Sequence, residues 1–279
     1  MDQKFPVIGI ALQSAKQVIG FKTGIGLTVG FFVIAAALFF ALIWQLSGGD
    51  LSVFQTVAEG DMSRLPEDTP AGFVPLFLLT FVFFLVGYSW IFNLWIRYGA
   101  LGAAGALRQN VGKSIGASFV TSIKLILIGI LLAIVAGVAL LLLVAVGVFS
   151  LEEAAQAIKP SLIEALVTNF VLLAVISSVY AVFSSNLTQT ALGSDKEEVG
   201  PPHVFEFGQV LFLLNAVILL PLVFLELFAS SVLAQIYNFV GSAWLTAAVP
   251  LAHGLRYDWQ RQAFAGETAE EQMFGSGED

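Results

Sequence analysis

The chain has 279 residues, of which 58% are hydrophobic and 11% charged, against roughly 25% charged in soluble domains. So little polar surface cannot cover a water-soluble globule, and the composition points to a lipid bilayer. The balance of 12 Lys plus Arg against 20 Asp plus Glu excludes the basic face that a nucleic acid requires, and the absence of Cys excludes disulfides, thiolate metal ligands, S-palmitoylation and a Cys nucleophile.

The opening segment, residues 1–23, reads "MDQKFPVIGIALQSAKQVIGFKT". It has no continuous apolar core leading to a small-residue cleavage site, so it does not read as a secretory signal and the first span is expected to be retained. Ile8, Ala11, Leu12, Ala15, Val18 and Ile19 fall on one helical stripe, with Gln13, Lys16 and Gln17 away from it. That pattern predicts an amphipathic interfacial helix.

A helix needs about 20 apolar residues to cross a hydrocarbon core of roughly 30 Å. By this measure residues 24–252 form an all-α transmembrane domain with six spans, at about 24–46, 73–96, 125–149, 165–185, 207–225 and 232–251. The last two come from one stretch, Phe207 to Ala252, that carries Glu226 as its one formal charge. As a single helix it would be about 69 Å long, more than twice the bilayer, so it must fold back, and "ELFASS" is the polar break available. Glu226 is therefore expected at the tip of a hairpin.

Six spans with an inner N-terminus place Lys4, Lys16, Lys22, Arg97, Arg108, Lys113, Lys124, Lys196, Arg256 and Arg261 inside, against Arg64 and Lys159 outside. Basic residues favour the cytoplasmic side of short loops, so both termini are expected in the cytoplasm. Between the second and third spans, "RYGALGAAGALRQNVGKSIGASFVTSIK" is basic and rich in Gly and Ala. It reads as an inner-surface topology determinant or, more sharply, as an anionic-lipid contact through Arg97, Arg108, Lys113 and Lys124. In the third span Gly129, Ala133 and Gly137 recur every four residues, a helix-packing face expected inside the bundle ahead of a dimer interface. Residues 253–279 read as an acidic cytoplasmic tail without fixed structure.

The chain offers little chemistry. His203 and His253 stand apart, and the carboxylate pairs Glu152–Glu153 and Glu197–Glu198 are sequence neighbours that diverge. No metal, cofactor or catalytic motif is legible, so an enzyme is not expected. What remains is polar residues within the last three spans. Ser231, Gln235, Asn238, Ser242 and Thr246 share one face of the sixth, Ser177, Tyr180, Ser184 and Thr188 line the fourth, which also holds Asn169, and Asn215 sits mid-span in the fifth. Interhelical hydrogen bonding explains such a stripe. The functional reading is a cavity formed by Asn169, Asn215, Glu226, Gln235, Asn238 and Ser242 and open to the outer side, with Glu226 or Glu164 at its rim.

The succession "IALQSAKQVIGFKT", a second span ending in "NLWIRYG", and the entry "VGKSIGASFVTSIKLILIGILL" resembles a broad group of bacterial six-span integral-membrane proteins. That group includes the membrane domain fused to some glycerophosphodiester phosphodiesterases. The resemblance implies a bacterial inner membrane and carries over no catalytic residue. The expected role is a non-enzymatic accessory, assembly or lipid-organising component that contacts membrane lipids and other membrane-protein subunits. The alternative is a small transporter or channel using the polar cavity.

Overall fold

The computed structural model describes residues 4–50, 70, 72–108, 110–148, 161–193, 196–197, 199–200, 202–229 and 231–274, the last nine by backbone only. Arg64, Glu152, Glu153, Lys159, Glu198 and the end of the tail lie outside the described residues. Within them the chain is helical: α1 (Val7–Gly20), α2 (Lys22–Leu46), α3 (Phe73–Leu107), α4 (Val111–Ala145), α5 (Leu162–Phe183), α6 (Leu187–Leu192), α7 (Val204–Phe228) and α8 (Ser231–Phe274). Six of these, α2, α3, α4, α5, α7 and α8, are long and apolar enough to cross a membrane.

Local chemistry sets several boundaries. The Ser161 side chain accepts from the Glu164 backbone N–H while the Glu164 carboxylate accepts from the Ser161 N–H, a reciprocal cap that starts α5. Glu164 is thereby a helix cap. The Asn110 side chain accepts from Gly112 N–H and starts α4. Near the end of α3, Gly102 takes φ 71° and ψ −179°, a region open essentially to glycine, so the helix axis breaks there.

Three expectations need correction. α4 runs unbroken for 35 residues, about 52 Å, whereas α3 is broken at Gly102, so the basic Gly/Ala-rich segment is divided between the end of α3, its break and the first turns of α4 rather than forming one surface element. Likewise α8 continues through the expected tail to Phe274, and its residues 253–260 are among the most buried in the chain, with His253 at 0% and Arg256 at 2% exposure. The tail composition is polar, but its first part has α3, α6 and α1 to pack against. Finally, the hairpin turns at Ala229, after α7, and Glu226 is exposed in the last turn of that helix.

α3, α4, α5, α7 and α8 close into a ring in that order, with α8 returning to α3 in the most extensive contact of the bundle. α2 packs outside α3, α6 plugs the ring against α3, α4 and α8, and α1 lies across α7 and α8. The packing is dense at the end bearing both termini. Ile91, Phe92, Asn93, Leu94, Trp95, Ile96 and Arg97 of α3 are all buried in succession, whereas Phe77, Leu78, Leu79, Phe81 and Val82 of the same helix are exposed. Lipid tails are as apolar as these side chains, so the ring is held by close packing and interhelical hydrogen bonds. Trp95 Nε1 donates to Thr28 Oγ1 at 3.0 Å, Thr121 to Asn93 Oδ1 at 3.0 Å, and Ser122 to Ser89 Oγ at 2.8 Å.

The tightest crossing joins α3 to α8 at Gly99 and Gly254. A Cβ on Gly99 would stand 2.5 Å from the Leu251 carbonyl oxygen, and one on Gly254 would collide with the Ile96 carbonyl oxygen. By contrast Gly129, Ala133 and Gly137 are exposed, and a Cβ on either glycine would meet nothing within 4 Å. The small-residue stripe in α4 therefore does not pack inside the bundle. The inward face of α4 is instead Ser118, Thr121, Ser122 and Ile128.

α1 also divides differently from its sequence pattern. Ile10, Ala11, Ser14 and Val18 are buried against the bundle, while Ile8, Leu12 and Ile19 are exposed at 67%, 54% and 73%. Two apolar faces, one for protein and one turned outward, were read from sequence as one stripe.

Candidate functional site

A cavity of about 400 Å³ occupies the interior of the five-helix ring. Each ring helix contributes: Tyr88 and Phe92 from α3, Leu125 from α4, Ser177 and Tyr180 from α5, Leu211 and Asn215 from α7, and Ser242, Thr246 and Val249 from α8. Among the described residues no Asp, Glu, Lys or Arg lines it. Its volume lies at the small end of the range for small-molecule sites, equal to roughly a dozen waters at about 30 Å³ each.

The polar lining is anchored mainly by local hydrogen bonds. Asn215 Nδ2 donates to Leu211 O at 2.8 Å, Thr246 Oγ1 to Ser242 O at 2.9 Å, and Ser242 Oγ to Asn238 Oδ1 at 3.3 Å. These bonds keep donors satisfied in a low-dielectric layer while the second lone pairs of the same oxygens stay available. Tyr88 and Thr246 border the space from the adjacent helices α3 and α8, and the buried Ser177 hydroxyl has no partner among the described residues. Ser242 is exposed, so the cavity opens on that side.

The end toward the termini is closed by aromatic rings around His253. Its imidazole centroid lies 4.6 Å from that of Phe207, 5.8 Å from Tyr180 and 6.1 Å from Phe92, and neither ring nitrogen has a hydrogen-bond partner. One turn further along α8, the Arg256 guanidinium sits 4.2 Å over the Phe207 ring and donates from Nη2 to Ser185 O at 3.1 Å.

Of the six residues expected around a cavity, the structure brings Asn215 and Ser242 to it. Asn169 donates to Ala165 O of its own helix and does not line the space. Gln235, Asn238 and Glu226 are exposed and stand outside the lining, although Asn238 supports Ser242 from one turn away. Glu226 and Glu164 therefore form no rim. Sequence reasoning named the hydroxyl lines of α5 and α8 but missed Tyr88, because a lone Tyr in an aromatic-rich span carries no periodic signal. It also missed His253 and Arg256, which lie beyond the apolar run that set the end of the sixth span.

The basic residues divide as well. Arg108, Lys113 and Lys196 border a groove of about 690 Å³ between the α3–α4 junction and α6, and Lys124 Nζ donates to Thr190 Oγ1 beside it. Arg97 is not at this surface. It is 2% exposed and donates to the carbonyls of Ala191 at 3.3 Å, Leu192 at 3.4 Å and Gly105 at 3.0 Å. It is a clamp on the C-terminal carbonyls of α6.

No protein-family model, curated protein or solved structure matches the chain.

Proposed function

We propose that this protein is a non-catalytic membrane protein that binds a small uncharged solute in the ring cavity, with transport rather than assembly as its role. The observation that supports this reading is the cavity itself. Five spanning helices surround a space edged by hydroxyl and amide groups, unfilled by side chains and without a charge in its lining. A bundle that served only as a helical platform would gain stability by filling it. The aromatic closure around His253 supplies a barrier at one end, and the exposed Ser242 side an entrance.

The absence of Cys from the sequence makes a direct test simple. Single cysteines at Asn215 and Thr246 are expected to react with a small hydrophilic thiol reagent in the membrane-embedded protein. One at Val217, which is 62% exposed and turned away from the ring, is not. If all three stay unreactive, the space is dry and the solute reading falls. We further propose that both termini face the cytoplasm of a bacterium, on the strength of the basic asymmetry and of the sequence resemblance. Cysteines at Ser63 and Lys196 should then be labelled from opposite sides of the membrane.

One observation favours assembly as a second reading. Gly129, Ala133 and Gly137 form an exposed small-residue face on α4, where another helix could approach closely. A disulfide-linked dimer formed through Ala133→Cys would favour it.

A further inference from the structure

Arg256 has a charge that nothing described in the protein balances. Its side chain is buried to 2% exposure, and of its donors Nε and Nη1 have no hydrogen-bond partner among the described residues. Nη2 is held by the Ser185 carbonyl at 3.1 Å, and the Phe207 ring lies 4.2 Å from the guanidinium carbon. The described acids at this end are engaged elsewhere. Asp258 and Glu197 pair with Arg261 at 2.8 and 3.7 Å, and Glu206 with His203 at 3.9 Å. A guanidinium stays protonated, and a buried cation without a counter-ion is expensive to keep.

The same arginine lines a second cavity, separate from the central one. It has about 170 Å³ between the α5–α6 junction and α8, and Ser185, Asn186, Gln189, Tyr257 and Gln260 border it with Arg256. Among the described residues no carboxylate lines it. Asn186 and Gln189 are exposed and form its mouth, beyond the end of the apolar span α5. Its volume equals roughly five waters at about 30 Å³ each, enough for one oxyanion with part of its hydration.

We propose that this pocket binds a small oxyanion, a carboxylate or phosphate group, with Arg256 as its charged anchor and the Asn186 and Gln189 amides as neutral donors at the mouth. The Nε–H and both Nη1–H groups of the guanidinium are without a partner among the described residues, and hydrogen bonds from a guanidinium to either group are charge-assisted. The group could belong to a free anion or to a phospholipid headgroup at the membrane surface. The inference stands whether or not the central cavity holds a solute.

The test uses the full chain, purified in neutral detergent. Its thermal midpoint is followed in sodium phosphate, sodium acetate and sodium chloride at equal ionic strength, and again in phosphatidylcholine vesicles with and without phosphatidylglycerol. The wild-type midpoint is expected to rise by roughly 5 °C at a free anion concentration a hundred times its dissociation constant. A rise with phosphate or acetate assigns the site to free anions. A rise confined to phosphatidylglycerol vesicles assigns it to a headgroup. In either case Arg256→Met should abolish the response; its anion-free midpoint reflects two opposed changes, the removal of a buried unpaired charge and the loss of the donor to the Ser185 carbonyl. Gln189→Leu, at the exposed mouth, should weaken the response without changing the anion-free midpoint, and it covers the case in which Arg256→Met does not fold. Equal midpoints in all salts and both vesicles, or an undiminished response in either variant, would overturn the proposal and leave Arg256 as a clamp on the Ser185 carbonyl.

Discussion

Gly254→Ala should be among the most damaging single-methyl changes in this protein. The added Cβ would overlap the Ile96 carbonyl oxygen and stand 2.8 Å from both Ala100 N and Gly99 Cα, all backbone atoms that cannot swing aside. Restoring ordinary contact requires α3 and α8 to separate by about 1 Å. A gap of that size forfeits a quarter to a half of each dispersion contact across it, and this crossing buries Trp95, Ile96, Leu251, Ala252 and His253. Overpacking of this kind costs about 1–3 kcal/mol and occasionally more. Alanine's better helix propensity offsets up to about 1 kcal/mol. Gly129→Ala supplies the control, since its Cβ meets open space and only the propensity gain remains. Thermal denaturation in detergent should therefore place Gly254→Ala below wild type and Gly129→Ala at or above it. Gly99→Ala combined with Gly254→Ala should cost less than the sum of the two, because one separation relieves both clashes. Equal stability of Gly254→Ala and Gly129→Ala would refute the backbone-to-backbone crossing.

Other outcomes follow from the same geometry. Arg97→Met strips the carbonyls of Ala191, Leu192 and Gly105 of their donor, at about 1–3 kcal/mol for each one left unpaired, and should lower thermal stability and expose the α6 region to protease. Ile10→Asp puts a charge into the interface of α1 with the bundle and should reduce accumulation of folded protein. The double change Ile8→Asp and Leu12→Asp, on the outward face, should leave accumulation intact and weaken only the membrane hold of that helix, read by protease protection. Glu226→Gln should leave both accumulation and cellular phenotype unchanged, since the side chain is exposed and outside the cavity lining; lost function with normal accumulation would contradict this.

The outline of the cavity was partly legible. Ser177, Tyr180, Asn215, Ser242 and Thr246 could be picked out because polar residues in a long apolar run stand against a uniform background. Which of them meet could not, because periodicity reports a face and not what it faces. Asn169 and Asn215 illustrate the limit. Both are asparagines within spans and both donate to the carbonyl four residues back, yet one borders the cavity and the other does not.

Length and hydropathy by themselves determined that this is an all-helical chain with six segments able to cross a membrane, because the thickness of the hydrocarbon layer acts on each segment alone. The fold-back near Glu226 followed from the same constraint, as did the start of α5, whose Ser161 and Glu164 cap is local to four residues. The tertiary structure decided what depends on neighbours. It moved the close crossing from Gly129 and Gly137 to Gly99 and Gly254, turned part of an apparent tail into the most buried turns of α8, and took Arg97 from the surface to the carbonyl ends of α6. In a bilayer apolar surface is stable facing either lipid or protein, so composition does not say which face turns inward. That choice falls to shape, to backbones that approach where no side chain intervenes, and to polar groups that must find a partner within the bundle.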